Sequence, residues 1–258
     1  MQNIFHLSTL ATLAFATAAQ ASPIASEEFS YAPGSIAGLN GGSGFTSAWR
    51  GSDTVDAADL TYPGLLTAGG HFVSSGGNSG AFRDLGTFYG TDTTTVFVSF
   101  VLSAQPGFST TNPDYAGLSF FDANDGAERL FLGQTFQATN YGFERSGGAS
   151  ATTGTAVSSS PTFLVAEFIF QAGNDTVNLY VNPTPGLAAP DVAATSASVS
   201  DFYFDRIRLQ SGLDGGETFN FDEVRLGTTY ADVSPAPEPT SILLLGITGV
   251  GLLARRRR

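Results

Sequence analysis

From Ser22 to Pro235 this chain has no long run with the period of a helix. Short segments rich in Phe, Val, Leu and Tyr take its place, divided by Gly, Asn, Asp and Pro. A helix needs apolar residues at three- and four-residue spacing over many positions, whereas a strand needs only a few, alternating or continuous. The chain is therefore confined to the all-β class. Its longest segment, residues 94–103 (Thr-Thr-Val-Phe-Val-Ser-Phe-Val-Leu-Ser), has apolar side chains at both parities and reads as a strand covered on both faces. Shorter strands are expected at residues 27–31, 65–66, 71–74, 81–85 and 140–145. Two hairpins are expected, residues 117–122 with 128–133 around Asn124-Asp125-Gly126, and residues 162–171 with 176–182 around Gly173-Asn174-Asp175. Residues 198–210 and 217–227 read as the last two strands. The Gly-rich residues 34–47, the small and polar residues 146–160 and the Pro-rich residues 183–190 read as connections. The expected body is one antiparallel β-sandwich domain over residues 22–233.

The two ends differ from this body. Residues 7–19 form an apolar core and Ala19-Gln20-Ala21 a small-x-small cleavage pattern, so residues 1–21 read as a secretory signal peptide and Ser22 as the mature N-terminus. The segment before the core has no Lys or Arg. Residues 234–258 form a linker and a tail in three parts. Pro237-Glu238-Pro239 is rigid and continues neither helix nor ladder. Residues 242–254 carry no charge, and Arg255, Arg256, Arg257 and Arg258 form a basic cluster. As a helix, residues 240–254 would rise about 22 Å, short of the roughly 20 apolar residues of a comfortable span. With arginines held on the cytoplasmic side this gives a marginal transmembrane helix, its C-terminus inside.

Roughly 215 residues remain between the ends, enough for one sizeable domain. There, seven arginines stand against 23 acidic residues, counting Glu238, and the chain has no lysine. Such a body repels phosphate backbones, so no nucleic-acid partner is expected, while cations are favoured. The absence of Cys excludes thiol catalysis, thiolate zinc sites and iron–sulfur clusters. His71 is the one histidine after residue 21, which excludes a His-rich metal site; its place in Gly69-Gly-His-Phe-Val reads as a strand start with a cap or surface role.

Two stretches concentrate acids. Asp122-Ala-Asn124-Asp125-Gly126-Ala-Glu128 is acidic as a calcium loop is, but it departs from the EF-hand spacing, and a plain turn also explains it. The segments Phe204-Asp-Arg-Ile-Arg-Leu209 and Phe221-Asp-Glu-Val-Arg-Leu226 echo each other. Strict alternation puts Asp205 with Ile207 and Leu209, and Asp222 with Val224 and Leu226. A carboxylate on an apolar face needs a partner, hydrogen bonds or a metal. Otherwise a bulge shifts the register, or the aspartate caps backbone N–H groups at a wet strand end.

The tail, with Pro237-Glu238-Pro239, the apolar segment and Arg255–Arg258 in order, resembles the PEP-CTERM sorting signal of exopolysaccharide-producing Gram-negative bacteria. That resemblance implies processing by an exosortase, transient insertion of the tail in the inner membrane and removal of the tail near Pro-Glu-Pro, as a GPI signal loses its hydrophobic tail. The destination it implies is the cell surface or the extracellular matrix. The body has a second resemblance. Phe221-Asp-Glu-Val-Arg-Leu-Gly-Thr-Thr-Tyr-Ala-Asp-Val233, with Glu28-Phe-Ser-Tyr31, the Gly-rich loop and Trp49, is similar to concanavalin A-like, laminin-G-like jelly rolls. Carried over from related carbohydrate-binding sandwiches, Glu27 or Glu28 with Asp222 would hold a structural calcium. The Glu-x-Asp-x-x-Glu strand motif of jelly-roll glucanases is absent, so no catalytic residues are marked and a non-enzymatic protein is expected. Two readings lead: a glycan-binding module associated with extracellular polysaccharide, and a structural or adhesive matrix component; a glycoside hydrolase stands third. Candidate sugar-stacking aromatics are Trp49, Tyr62, Tyr89, Tyr115, Tyr141 and Tyr230.

Overall fold

The structure is a computed structural model that describes residues 22–77, 79–108, 114–212 and 218–237. The expected signal helix over residues 1–21 and tail helix lie outside the described residues, as do Glu238, Pro239 and Arg255, Arg256, Arg257 and Arg258 of the sorting motif; Pro237 is the last residue described. Among the described residues no helix is long and apolar enough to cross a membrane.

Among the described residues sixteen strands run in chain order: β1 Ala25–Glu27, β2 Gly34–Ser35, β3 Arg50–Gly51, β4 Thr54–Asp56, β5 His71–Val73, β6 Ser79–Tyr89, β7 Thr95–Ala104, β8 Tyr115–Phe121, β9 Glu128–Gln134, β10 Asn140–Arg145, β11 Ser150–Ala156, β12 Thr162–Ile169, β13 Asp175–Val181, β14 Thr195–Val199, β15 Phe204–Gly212 and β16 Phe219–Gly227. A short helix, α1 Tyr230–Val233, follows. One sheet has the order β14-β13-β12-β7-β16-β5-β4-β2, with β1 also paired to β16; the other has the order β11-β10-β9-β8-β15-β6-β3. The pairings are antiparallel, and the two sheets pack face to face as the expected jelly-roll sandwich.

The apolar pattern explains the layering. β7 lies between β12 and β16 and is buried along nearly its whole length, as its continuous apolar run requires. One parity, Val96, Val98, Phe100 and Leu102, enters the main core with side chains of the opposite sheet such as Leu118, Phe120, Ile207 and Leu209. The other parity, Phe97 and Val101, joins a second cluster with Leu65, Phe163, Val165, Tyr180, Tyr230 and Val233 on the outside of the same sheet. Phenylalanines form a chain of rings through the main core, with Phe120 centred 5.0 Å from Phe168 and 4.9 Å from Phe204, both edge-on.

Both expected hairpins are present, β8–β9 and β12–β13. Four expectations are corrected. The first strand ends at Glu27 rather than running on to residue 31, because Phe29 takes a positive φ of 49°. Leu65 and Leu66 are not a strand but part of a loop covering the second cluster. Residues 146–160 are not all loop: β11 pairs with β10 as an edge strand, and its Ser, Ala, Thr and Gly side chains bury little, which hid it. Residues 198–210 are two strands, β14 at one sheet edge and β15 central in the other sheet.

Both echoed segments sit at register shifts. The pairing register shifts between Phe204 and Arg206 in β15, and between Asp222 and Arg225 in β16, where Glu223 has a φ of 55°. In β16 one extra residue follows Phe221-Asp222, whereas at β15 the extra residues lie on its partner β6, which runs from Tyr89 to Asp84 while β15 advances from Phe204 to Arg206; Phe204, Ile207 and Leu209, like Phe221, Val224 and Leu226, all reach the core. Asp222 is thereby paired opposite Val101, whose side chain belongs to the outer cluster.

Candidate functional site

Three groups of chemically capable side chains stand out, and the structure sorts them into different roles.

The first surrounds Glu27 at the end of β1. Arg83, from β6 of the other sheet, forms an ion pair with its Oε2, and both side chains are almost wholly buried. Trp49 Nε1 and the Tyr31 hydroxyl donate to the same oxygen at 2.9 and 2.8 Å, and the Phe29 amide donates to Oε1 at 3.1 Å. Arg83 also donates to Ser47 O at 3.0 Å, Asn40 Oδ1 at 2.9 Å and Gly41 O at 2.6 Å, and it stacks over Phe45 at 4.3 Å. Burial first, and then the Glu27 charge, push the Tyr31 hydroxyl up to about 12. The Gly-rich loop is thus wrapped around one guanidinium. Gly44, at φ 78°, passes so close to β1 that a Cβ would stand 2.0 Å from Ile24 O. Trp49 is a core residue here, not a sugar platform, and Tyr141 and Tyr230 are likewise buried.

The second group lies on the outer side of the β7–β16 sheet. The β16 bulge places Asp222 and Glu223 beside Asp59, with carboxylate oxygens that all lie within 4.8 Å of one another. The structure brings Asp222 together with these two rather than with Glu27. Glu28 stands near by, its Oε1 3.9 Å from Arg225 Nη2. Backbone amides fold the loops over the acids: Leu60 N donates to Asp222 Oδ2 at 3.1 Å, Ala68 N to Glu223 Oε1 at 2.6 Å, and Glu223 N to Asp222 Oδ1 at 2.7 Å. Arg225 pairs with Glu223 Oε2 and donates to Leu66 O at 2.9 Å. Burial, followed by the Glu223 charge, pushes Asp222 up to about 9; burial, opposed by Arg225, pushes Glu223 up to about 7. One guanidinium does not neutralise three carboxylates, and Asp59 Oδ1 is buried without a hydrogen-bond partner. An all-oxygen set of this kind fits a hard cation such as calcium and fits zinc or copper poorly. His71 opens β5 as expected, its Nδ1–H donating to Ala58 O at 2.5 Å, and so pins the loop that carries Asp59.

The third group is a cleft of about 400 Å³ lined by Phe88, Tyr89, Gly90, Thr91, Asn124 and Tyr203. It forms where the end of β6, the β8–β9 turn and the segment before β15 meet. Phe88 and Tyr203 are nearly half exposed and meet edge to face at 5.6 Å. The acidic β8–β9 stretch, whose Asn124 lines the cleft, is a turn braced by a protein cation: Arg129 donates to Asp122 Oδ2 at 2.9 Å and to Asp125 Oδ2 at 2.6 Å, with its guanidinium 5.2 Å from the Tyr203 ring centre. The Asn124 amide donates to Asp122 Oδ1 at 2.9 Å and Ala123 N to Asp205 Oδ1 at 2.7 Å. The Asn124 amide does most to hold the Asp122 carboxyl below its usual range; burial opposes, while Arg129 and the Tyr203 hydroxyl assist. Gly90 lets the strands close here, since a Cβ would stand 2.6 Å from Tyr203 Cβ. Of the aromatics expected to bind sugar, only Tyr89 lines this cleft; Phe88 and Tyr203 were missed. The signal for Tyr203 was its place between two phenylalanines, Phe202 and Phe204, both of which are buried.

Residues 235–258 match the PEP-CTERM protein-sorting motif. That motif marks the chain for export and exosortase-mediated sorting to the cell envelope or surface. No curated protein matches the sequence. Among solved structures, the binding domain of botulinum neurotoxin serotype D is similar at a TM-score of 0.50 and 12% identity, over 80% of this chain and 48% of its own, so this chain spans about half the length of that domain. The Emp47p carbohydrate recognition domain is similar at a TM-score of 0.43 and 11% identity, over 82% of this chain and 99% of its own. A bifunctional GH43-CE protein of Bacteroides eggerthii is similar at 0.40 and 15%, over 61% and 22%. At these identities the first likeness is one of fold.

Proposed function

We propose that this chain is a non-catalytic glycan-binding sandwich, sorted to the cell surface and working on extracellular polysaccharide. The observation that carries the proposal is the Phe88–Tyr203 cleft. Two exposed rings offer faces to the C–H side of a sugar, while Asn124, Thr91 and the Asp122–Arg129 turn offer amide, hydroxyl and charged groups to its hydroxyls. The volume suits one or two sugar units. Support from outside the cleft is the sorting motif, which marks the chain for the cell envelope or surface. We further assign Asp59, Asp222 and Glu223 as the ligands of a structural calcium, with Glu28 at its rim.

Binding to the native state raises the unfolding midpoint. Residues 22–237, heated with a panel of bacterial polysaccharides, are expected to show a rise with one glycan class. Tyr203→Ala is expected to weaken that binding about tenfold, or about 1.4 kcal/mol, while its midpoint without glycan moves little, because the ring is solvent-facing. If no glycan moves the midpoint, the chain is a structural matrix component. If glycan binds equally well to Tyr203→Ala and Phe88→Ala, the site is elsewhere.

A further inference from the structure

Six large apolar or aromatic side chains are exposed among the described residues: Leu66, Phe88, Phe136, Leu187, Val192 and Tyr203. Phe88 and Tyr203 belong to the cleft. Leu66, Leu187 and Val192 belong to two loops that grip the chain where it leaves the body.

That grip is specific. After β16 the chain turns through α1, capped reciprocally by Thr229 and Asp232, and lies back across the outer face of its own sheet. Ser99 Oγ, from the middle of β7, donates to Val233 O at 2.7 Å. Leu66 N donates to Pro235 O at 2.8 Å and Gly186 N to Ser234 O at 2.7 Å. The Tyr230 hydroxyl reaches Thr184 O at 2.7 Å, which binds the 183–194 loop to the helix. Ala193 of that loop packs on the outer cluster beside Val192, itself 93% exposed. The chain is therefore held by the body as far as Pro235, and Leu66, Leu187 and Val192 project from the loops that hold it.

Only residues 238–241 separate Pro237 from the uncharged run that begins at Ile242. Five steps of fully extended chain reach about 17 Å at most, while a body of roughly 215 residues is about 35–45 Å across by the compact-domain radius of gyration. A tether shorter than the body does not let the body turn over. When the uncharged run lies in a bilayer, the exit face is held within about 17 Å of the hydrocarbon, at or just above a headgroup zone about 5–7 Å deep.

We infer that the rim formed by Leu66, Leu187 and Val192 is a membrane-docking surface that rests on a bilayer of zwitterionic lipid until the tail is cut. This rests on the reading of the tail as membrane-inserted before processing. The acidic body gains nothing from anionic lipid, so the contact is apolar: Val192 and the two leucines enter the interface beside the tether. The three stand exposed on a chain otherwise rich in small polar surface residues because one stage of the protein's life buries them.

The chain has no cysteine, so single probes can be placed cleanly. The full chain carrying Val192→Cys, and separately Phe136→Cys in the β9–β10 turn of the other sheet, is labelled with an environment-sensitive fluorophore and reconstituted into phosphatidylcholine vesicles containing nitroxide lipid. Both sites are exposed, and unchanged unfolding midpoints confirm the fold. The expected result is flotation of both proteins with the vesicles, with quenching at position 192 about twofold or more above that at 136. Flotation with equal quenching at the two positions overturns the docking surface and leaves the tail reading standing. Failure to float overturns both.

Discussion

Replacing Arg83 with methionine is expected to lower the unfolding free energy by about 3–5 kcal/mol, the cost of stranding a buried charge, and the thermal midpoint by about 10 °C or more. The guanidinium is the only cation paired with Glu27 among the described residues, and both groups are shielded from water. It also ties residues 40, 41 and 47 of the Gly-rich loop to β6, so one substitution loosens the loop and leaves an anion against Phe29 and Trp49. A charge effect and a packing effect separate in the double variant. Adding Glu27→Gln removes the stranded charge while keeping an oxygen that accepts from Trp49 and Tyr31, and is expected to recover about half of the loss. A loss below about 1 kcal/mol for Arg83→Met would show that the pair is not structural.

This pair marks where the sequence stops being legible. The strands with continuous or alternating apolar character, β7, β8, β9, β12 and β13, could be read because burial decides their composition. The edge strand β11 could not, since a strand that buries few side chains has no pattern to display. Glu27 and Arg83 are 56 residues apart and belong to different sheets, and neither has a neighbour in sequence that signals the other. Glu27 therefore read as a candidate calcium ligand when its partner is a guanidinium. The acid turn at residues 122–128 is the plain turn that its departure from the EF-hand spacing suggests, and Arg129, one residue beyond, supplies the cation for its charge.

The echoed Phe-Asp-x-(Ile/Val)-Arg-Leu segments were half legible. Their apolar positions fall at i, i+3 and i+5, which no regular strand sends to one face, and that spacing requires a break in the register near the aspartate. A break follows from the sequence. Which side of the sheet would receive the displaced carboxylate does not, and that side decides the chemistry. In β15 Asp205 accepts from the turn beside the aromatic cleft. In β16 Asp222 goes beneath the 57–68 loop to meet two further acids.

That meeting gives the second large effect, a stability that falls as pH rises. Asp222 and Glu223 have their native pKa values raised, to about 9 and about 7, whereas the unfolded chain ionises both near 4. Between about pH 4 and 9 the native state then holds protons that the unfolded state has released, and each pH unit costs about 1.4 kcal/mol per proton of difference. The stabilising contribution is complete at pH 4 and is lost as pH climbs through 7 and then 9. With EDTA present, the midpoint of residues 22–237 is expected to fall by more than about 10 °C from pH 5 to pH 8.5. Asp222→Asn, which keeps the shape and removes the ionisation, is expected to flatten most of that fall. Calcium acts in the same window from the other side. It binds the deprotonated cluster, so at pH 8.5 a hundredfold excess over its dissociation constant adds about 2.7 kcal/mol, while at pH 5 protons compete and the gain shrinks. Asp222→Asn should lose the calcium response together with the pH response. A pH-dependent fall that calcium does not reverse would make Asp59, Asp222 and Glu223 a protonated carboxyl cluster rather than an ion site, with Arg225 as its only cation among the described residues.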